Sequence, residues 1–246
     1  WGLIEASHTR VRHVVVEVAD LPAELEGLRV AQVSDLHAGG PRSGHAFEQA
    51  ADLLEEIKPD MIVSTGDMVD GDLHHIDHMA ERLAALKPRL GKYACLGNHE
   101  FYHGPVSSLG FHEAAGFRVL RQEAARPAPG LVVVGIDDPA AGRWKEPRRN
   151  DELAVLSQPR PEGGELTVLL KHRPDIEQAA LGRFDLQLSG HTHGGQVFPV
   201  GVMTRMQNGF WPGLHDLGGG SRLYLNPGTG CWGTPMRLGA PPEITL

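Results

Sequence analysis

The chain reads as an α/β protein with a large parallel component. Short apolar, β-branched runs alternate with segments whose apolar residues recur every three to four positions. Gly and Pro punctuate the joints between them. The runs end repeatedly on Asp, Asn or His, as parallel strands do when their C-terminal ends open on a common crevice.

Val11 to Val18 is the first strand predicted, followed by a turn through Leu21-Pro22. Leu28 to Ser34 is the second and runs straight into Asp35. Ala46 to Ile57 has helical spacing and stops before Pro59. Met61 to Thr65 forms a short strand that leads into Gly66-Asp67. A helix over 73–87 precedes Pro88, and a strand from Lys92 to Leu96 ends at Gly97-Asn98-His99. This rhythm is that of βαβ units with right-handed crossovers. The second half continues with a helix near 106–115, a strand from Leu131 to Ile136 and a helix at 150–156. A strand from Leu166 to Leu170 then ends at His172. A helix near 175–182 and a strand from Asp185 to Leu188 lead into Gly190-His191. Residues 194–221 are rich in Gly, carry Phe198, Phe210, Trp211 and Pro212, and read as a long loop or hairpin beside the site. Leu223 to Leu225 and Glu243 to Leu246 are the closing strands, and with no repeat or linker a single domain over 1–246 is expected.

Composition narrows the functional classes. A net charge of −8 without a Lys/Arg-rich tract argues against a nucleic-acid surface, and Arg148-Arg149 is too short to form one. No run approaches the roughly 20 apolar residues that cross a bilayer. The chain opens on Trp1 rather than Met, so a preceding segment, with any anchor or export signal, is expected to have been removed. Cys95 and Cys231 belong to no Cys-x-x-Cys pair, which disfavours a zinc knuckle and leaves open whether they pair with each other.

Five stretches carry nearly all the potential ligands: Asp35-Leu-His37, Gly66-Asp67-Met-Val-Asp70, Gly97-Asn98-His99-Glu100, Lys171-His172 and Gly190-His191-Thr-His193. Taken singly they are weak. Asp-x-His is common, Gly-Asp is most often a turn, and a His pair is often a solvated loop. Residues two apart in an extended segment do point the same way, as His191 and His193 would. Jointly they supply carboxylate, amide oxygen and imidazole without thiolate, a donor set for Mn, Fe, Zn, Ni or Co.

In this order and composition the motifs closely resemble the signature of the calcineurin-like metallophosphoesterases: Asp-x-His, Gly-Asp-x-x-Asp, Gly-Asn-His-Asp/Glu, His and Gly-His-x-His. Asn226-Pro-Gly-Thr-Gly230, Met236-Arg-Leu and Pro242-Glu-Ile-Thr look like the tail of the bacterial, membrane-associated branch. The resemblance implies a four-layer α/β/β/α sandwich of two mixed sheets flanked by helices. It implies one divalent metal on Asp35, His37, Asp67 and His193, and a second on Asp67, Asn98, His172 and His191, with Asp67 bridging. Two such ions sit roughly 3.5–4 Å apart and lower the pKa of a water-derived hydroxide that attacks phosphorus. His99 is implied as the catalytic side chain that stabilises developing charge or protonates the leaving oxygen.

The activity so implied is a dimetal phosphoesterase acting on a phosphate ester, foremost a phosphodiesterase. The alternatives are a pyrophosphatase on a nucleotide-linked lipid such as UDP-2,3-diacylglucosamine, which some relatives cleave, and a non-catalytic metal-binding module. Purple acid phosphatases carry a ferric-iron Tyr where this chain has Asp70, so a purple enzyme is disfavoured. Asp70 either orients a ligand or caps the following helix. His74, His75 and His78 read as a solvated helix face beside Asp72 and Asp77, His45 as structural or exposed, and Asp137-Asp138 as a turn. His103 reads equally as a substrate contact or a structural residue. The same holds for Arg173, which either binds phosphate or serves the loop before Pro174. Phe198, Phe210 and Trp211 line a groove or form a satellite core. Membrane association of the intact protein is an expectation; oligomeric state and compartment stay open.

Overall fold

Strand parity sends the apolar residues of the two sheets into separate cores on either face of each sheet. The computed structural model describes residues 1–40, 43–71, 73, 75–144, 152–157 and 164–246. In chain order the strands are β1 (Arg10–Arg12), β2 (Val30–Val33), β3 (Met61–Ser64), β4 (Lys92–Ala94), β5 (Arg118–Val119), β6 (Glu123–Ala128), β7 (Leu131–Ile136), β8 (Leu166–Lys171), β9 (Leu186–Ser189), β10 (Gly213–Gly218), β11 (Ser221–Leu225) and β12 (Glu243–Thr245). The helices are α1 (Gly2–Ala6), α2 (Ser43–Ile57), α3 (Asp77–Ala85), α4 (Asn98–His103), α5 (Pro105–Ala114), α6 (Glu152–Leu156) and α7 (Val200–Asn208).

The strands form two mixed sheets of six, ordered β1-β12-β2-β3-β4-β5 and β10-β11-β9-β8-β7-β6. Successive side chains on a strand face opposite ways. Ala31, Val33 and Ile62 therefore pack outward against Phe47, Leu54 and Met79 of α2 and α3. Met61 and Val63 turn inward to meet Leu131, Val133, Val168 and Leu170 of the second sheet. The other face of that sheet, Val132, Val134 and Leu169, packs with Leu156 of α6 and Phe184. The layers are helix, sheet, sheet, helix.

β2 to β5 are parallel, as are β7, β8, β9 and β11. Antiparallel pairs make the sheets mixed: β12 lies antiparallel to β2, and β6 and β10 are antiparallel edges. β6 contains Pro127, which an edge strand tolerates because one side needs no ladder donors. The first strand is shorter than its apolar run; past β1, Val14 N–H still bonds Leu246 O at 2.8 Å. The helix expected over 73–87 begins only at Asp77, and that expected at 150–156 is α6, with residues 150 and 151 outside the described set.

Two expectations are corrected. The segment 175–182 holds only a 3-10 turn, Gln178–Ala180, in the short stretch between Pro174 and Gly182, both helix breakers. Within 194–221 the hairpin alternative holds in part, since β10 turns back antiparallel onto β11, but α7 stands where a loop was expected. α7 starts after Pro199 and stops at Gly209, which takes a left-handed φ of 80°, a start and stop signal its poor helix formers concealed.

Candidate functional site

The C-terminal ends of β2, β3, β4, β8 and β9 all point to one edge of the sandwich, and the short loops that leave them carry Asp35, Asp67, Asn98, His172 and His191 in turn. The backbone there is forced into an unusual shape. Asp35, His37, Asp67, His191 and His193 all have left-handed φ values of 49° to 70°, a conformation costly for residues other than Gly. Neighbouring loops hold them in it. Asp35 N–H bonds Gly66 O and His37 N–H bonds Asp67 O, both at 3.0 Å. His191 N–H donates to the Asp35 carboxylate at 3.0 Å. A Cβ at Gly190 would collide with Ser34 Oγ and Asp35 Oδ2, so only glycine lets these two loops meet.

All eight residues singled out in the sequence come together. Asp35, His37 and His193 form one trio with donor atoms within 4.8 Å of one another, and Asp67, His172 and His191 form a second. Nε2 of His37 lies 3.1 Å from Nε2 of His193, and Nδ1 of His191 lies 3.2 Å from Nε2 of His172. Asp67 Oδ2 is 3.1 Å from His172 Nε2, while its Oδ1 accepts the His99 N–H at 2.8 Å. Asn98 is buried and its Oδ1 has no hydrogen-bond partner. A buried amide oxygen left unpaired costs about 1–3 kcal/mol, unless a ligand takes it up.

The electrostatics fit a site built for cations. Burial alone would raise the carboxyls of Asp35 and Asp67, yet the surrounding imidazoles, His193 foremost for Asp35 and His172 for Asp67, hold both below the usual range. Burial, opposed by Asp35, keeps His193 down at about 3; burial with the neighbouring His172 charge keeps His191 at about 4. Both shifts favour the neutral ring that ligation requires. His172 is pushed up to about 10 against burial, chiefly by Asp67, so an imidazolium supplies the charge that a metal would replace. Its Nδ1–H donates to Thr65 O at 2.7 Å, which leaves Nε2 facing the site. The residues therefore suit two divalent ions held by nitrogen and oxygen.

Sequence reasoning missed or left open four supporting residues. Asp70 does not cap the next helix; it takes His37 Nδ1 at 3.2 Å, His99 Nδ1 at 3.1 Å and His103 Nε2 at 2.6 Å. Glu100 is fully buried and accepts the backbone N–H groups of Gly97, Asp67, Met68 and Val69. Burial first, then the Asp67 charge, push its carboxyl up to about 7 against those four donors. Arg237, also fully buried, donates to the carbonyls of Pro227, Ala240 and Gly230 and reaches His193 Nδ1 at 3.3 Å. Arg173 is paired with Asp138 at 2.6 Å rather than turned to a substrate.

Other residues fall as follows. Asp138 also caps Ala140 N–H in a turn, and Asp137 pairs with Arg121. His75 and His78 are exposed; His74 and Asp72 lie outside the described residues, as do Arg148 and Arg149. His45 lines a small cavity with Leu3 and Cys231, away from the ligands. Cys95 and Cys231 are unpaired. Phe198 is exposed, Phe210 packs on His215, and Trp211 lies under Arg205, so the three form no common core.

The profile of the calcineurin-like phosphoesterases matches residues 28–195. A metallophosphoesterase of Aquifex aeolicus is 39% identical over all of this chain and 94% of its own. A zebrafish transmembrane protein with a metallophosphoesterase domain is 33% identical over all of this chain, which spans 58% of that protein's length. Among solved structures, the Haemophilus influenzae NAD nucleotidase (TM-score 0.54, 16% identity) covers 82% of this chain and 50% of its own. A zebrafish dimetal phosphatase (0.51, 13%) covers 82% and 88%. These two share the fold. With the profile spanning the ligand-bearing strands and so similar a relative matched from end to end, this chain belongs to the calcineurin-like phosphoesterase family.

Proposed function

We propose that the protein is a dimetal-dependent phosphoric ester hydrolase whose preferred substrates are phosphodiesters, and that residues 1–246 work as one domain. One ion is assigned to Asp35, His37, Asp67 and His193, the other to Asp67, Asn98, His172 and His191, with Asp67 shared. The observation that carries this is the unpaired buried Oδ1 of Asn98 beside the two trios. When bound, such ions supply Lewis-acid charge and lower the pKa of water. Manganese, zinc, iron, nickel and cobalt all suit the donor set.

The chain's own groups do the rest. Asp70 holds the His99 ring through Nδ1, and against the effect of burial it and Asp67 favour the protonated form. His99 can then give a proton to the departing oxygen. The helix α4 that carries Asn98 and His99 is fixed at its start by the Glu100 clamp on the Asp67 loop. Every ligand position keeps a competent side chain, which weighs against a non-catalytic module. The zebrafish relative's name supports membrane association of the intact protein, though no helix among the described residues is long and apolar enough to cross a membrane. Failure of the full-length chain to float with liposomes would remove that part of the reading.

The test is hydrolysis of bis-p-nitrophenyl phosphate against p-nitrophenyl phosphate by chelated protein reloaded with one metal at a time. Metal-dependent cleavage favouring the diester is expected. Preference for the monoester would overturn the diester assignment, and silence on both with two ions bound would overturn hydrolysis of simple esters and favour the pyrophosphatase.

A further inference from the structure

A groove of about 560 Å³ opens directly from the ligand cluster. His191 and His193 form its inner end, Trp232 stands on one side, and Val200, Thr204 and Gln207 of α7 face it from the other. Among the described residues that line it, none carries a carboxylate, an ammonium or a guanidinium. The nearest cation on α7, Arg205, is laid over the Trp211 ring at 5.4 Å.

The backbone of Trp232 is held in place although the residue is 56% exposed. The Gln196 amide grips its loop three times: Oε1 accepts Trp232 N–H at 2.9 Å, and Nε2 donates to the carbonyls of Trp232 and Thr234, both at 3.0 Å. Gln196 does so from a left-handed φ of 55°. Strain of this kind persists only where surrounding contacts over-determine it. The indole centroid lies 6.0 Å from that of His99. An exposed tryptophan fixed so close to the proton donor offers a flat apolar face to whatever is esterified to the phosphorus.

We propose that this groove is the subsite for one ester group of the substrate, an uncharged group with a flat apolar face that stacks on Trp232. The assignment rests on the reading of the site as a phosphodiesterase and names the kind of diester. A second phosphate in the groove would find no cation to pair with. Its desolvation would go uncompensated on a protein of net charge −8. The groove therefore selects against pyrophosphates and for neutral alcohols.

Three p-nitrophenyl phosphodiesters test this, with methyl, phenyl or 4-carboxyphenyl as the second ester. For the metal-loaded wild type, kcat/KM should be about tenfold higher for phenyl than for methyl, through KM, the size of effect that stacking on an aromatic ring produces. The carboxyphenyl ester should fall back to the methyl level. Trp232→Ala, and Trp232→Leu as a bulkier control, should bring the phenyl-to-methyl ratio close to one. Gln207→Lys should raise the carboxyphenyl ester relative to phenyl at least fivefold. Equal rates for phenyl and methyl in the wild type, or a carboxyphenyl ester that is best, would overturn the proposal while leaving the phosphodiesterase reading intact. If no ester is cleaved, that reading fails, and the groove is judged by calorimetry alone: diphenyl phosphate binding equally to wild type and Trp232→Ala overturns it, and a tenfold loss in the variant sustains it.

Discussion

Arg237 Nη2 lies 3.3 Å from Nδ1 of His193, while Nε2 of the same ring faces His37 and Asp35. An arginine can only donate, so a buried cation fixes which way this imidazole presents its ring. The same guanidinium ties the turn at 226–230 to the segment 237–240 through Pro227, Gly230 and Ala240. That turn in turn bonds the end of β2: Thr229 N–H to Ser34 O at 2.7 Å and Gly230 N–H to Asp35 O at 3.0 Å.

Replacing Arg237 by Met should therefore act on stability and on the ligands together. Four carbonyls, those of Pro227, Gly230, Ala240 and His193, lose a donor in a dry interior, which predicts a loss of about 3 kcal/mol or more in urea unfolding. Metal content should fall below two ions per chain in protein that remains folded. Arg237→Lys should not restore it, because one ammonium cannot reach all those carbonyls.

Glu100→Gln should loosen the Asp67 loop. The carboxylate uses both oxygens to receive Gly97, Asp67, Met68 and Val69, whereas an amide must turn an NH2 toward some of those donors. A drop of about 2 kcal/mol in unfolding free energy is expected. An unchanged melting curve would show that water or a backbone shift takes over.

His99→Ala should separate turnover from metal binding. Loss of a positioned acid typically lowers kcat by about 10²–10⁴. Two ions per chain should remain, as read by elemental analysis. Depletion of an ion along with activity would make His99 a ligand instead.

Acid sensitivity should trace partly to His112, far from the ligands. The ring is fully buried between Phe111 and Phe117, and burial pushes it down to about 4 from the usual 6.5, against the Ser108 carbonyl at its Nδ1. A depressed imidazole contributes stability that is complete above pH 6.5 and is lost as pH falls through 4, because the unfolded chain binds the proton first. The two values correspond to about 3 kcal/mol over that interval. His112→Leu should flatten this part of the stability–pH curve; the same slope in the variant would assign it to other groups.

The ligands themselves were legible because each follows an apolar run whose strand character is plain, as Val30–Val33 announces Asp35 and Leu166–Lys171 announces His172. The layers came only through the family resemblance, since near-continuous apolar runs such as Leu131–Ile136 announce burial on both faces without saying what covers them. What stayed hidden works through backbone atoms. Arg237 serves carbonyls and Glu100 serves N–H groups about 30 residues back as well as Gly97, so both fall inside quoted motifs while their roles do not follow from the spacing. Asp70 looked equally like a cap until three imidazoles were found on its carboxylate. α7 escaped because Val, Gly and Thr blur its period, although Pro199 and Gly209 marked its ends.

No residue of α7 is buried. A helix that contributes nothing to the cores can exchange most of its side chains at little cost to folding, since surface substitutions rarely exceed about 0.5 kcal/mol. The loops beneath it have no such latitude: their left-handed residues and interlocked hydrogen bonds tolerate almost no replacement. Change in what the protein accepts is thereby free to proceed on one wall while the reacting centre is inherited unaltered. A library confined to positions 200–208 is the economical place to redirect it.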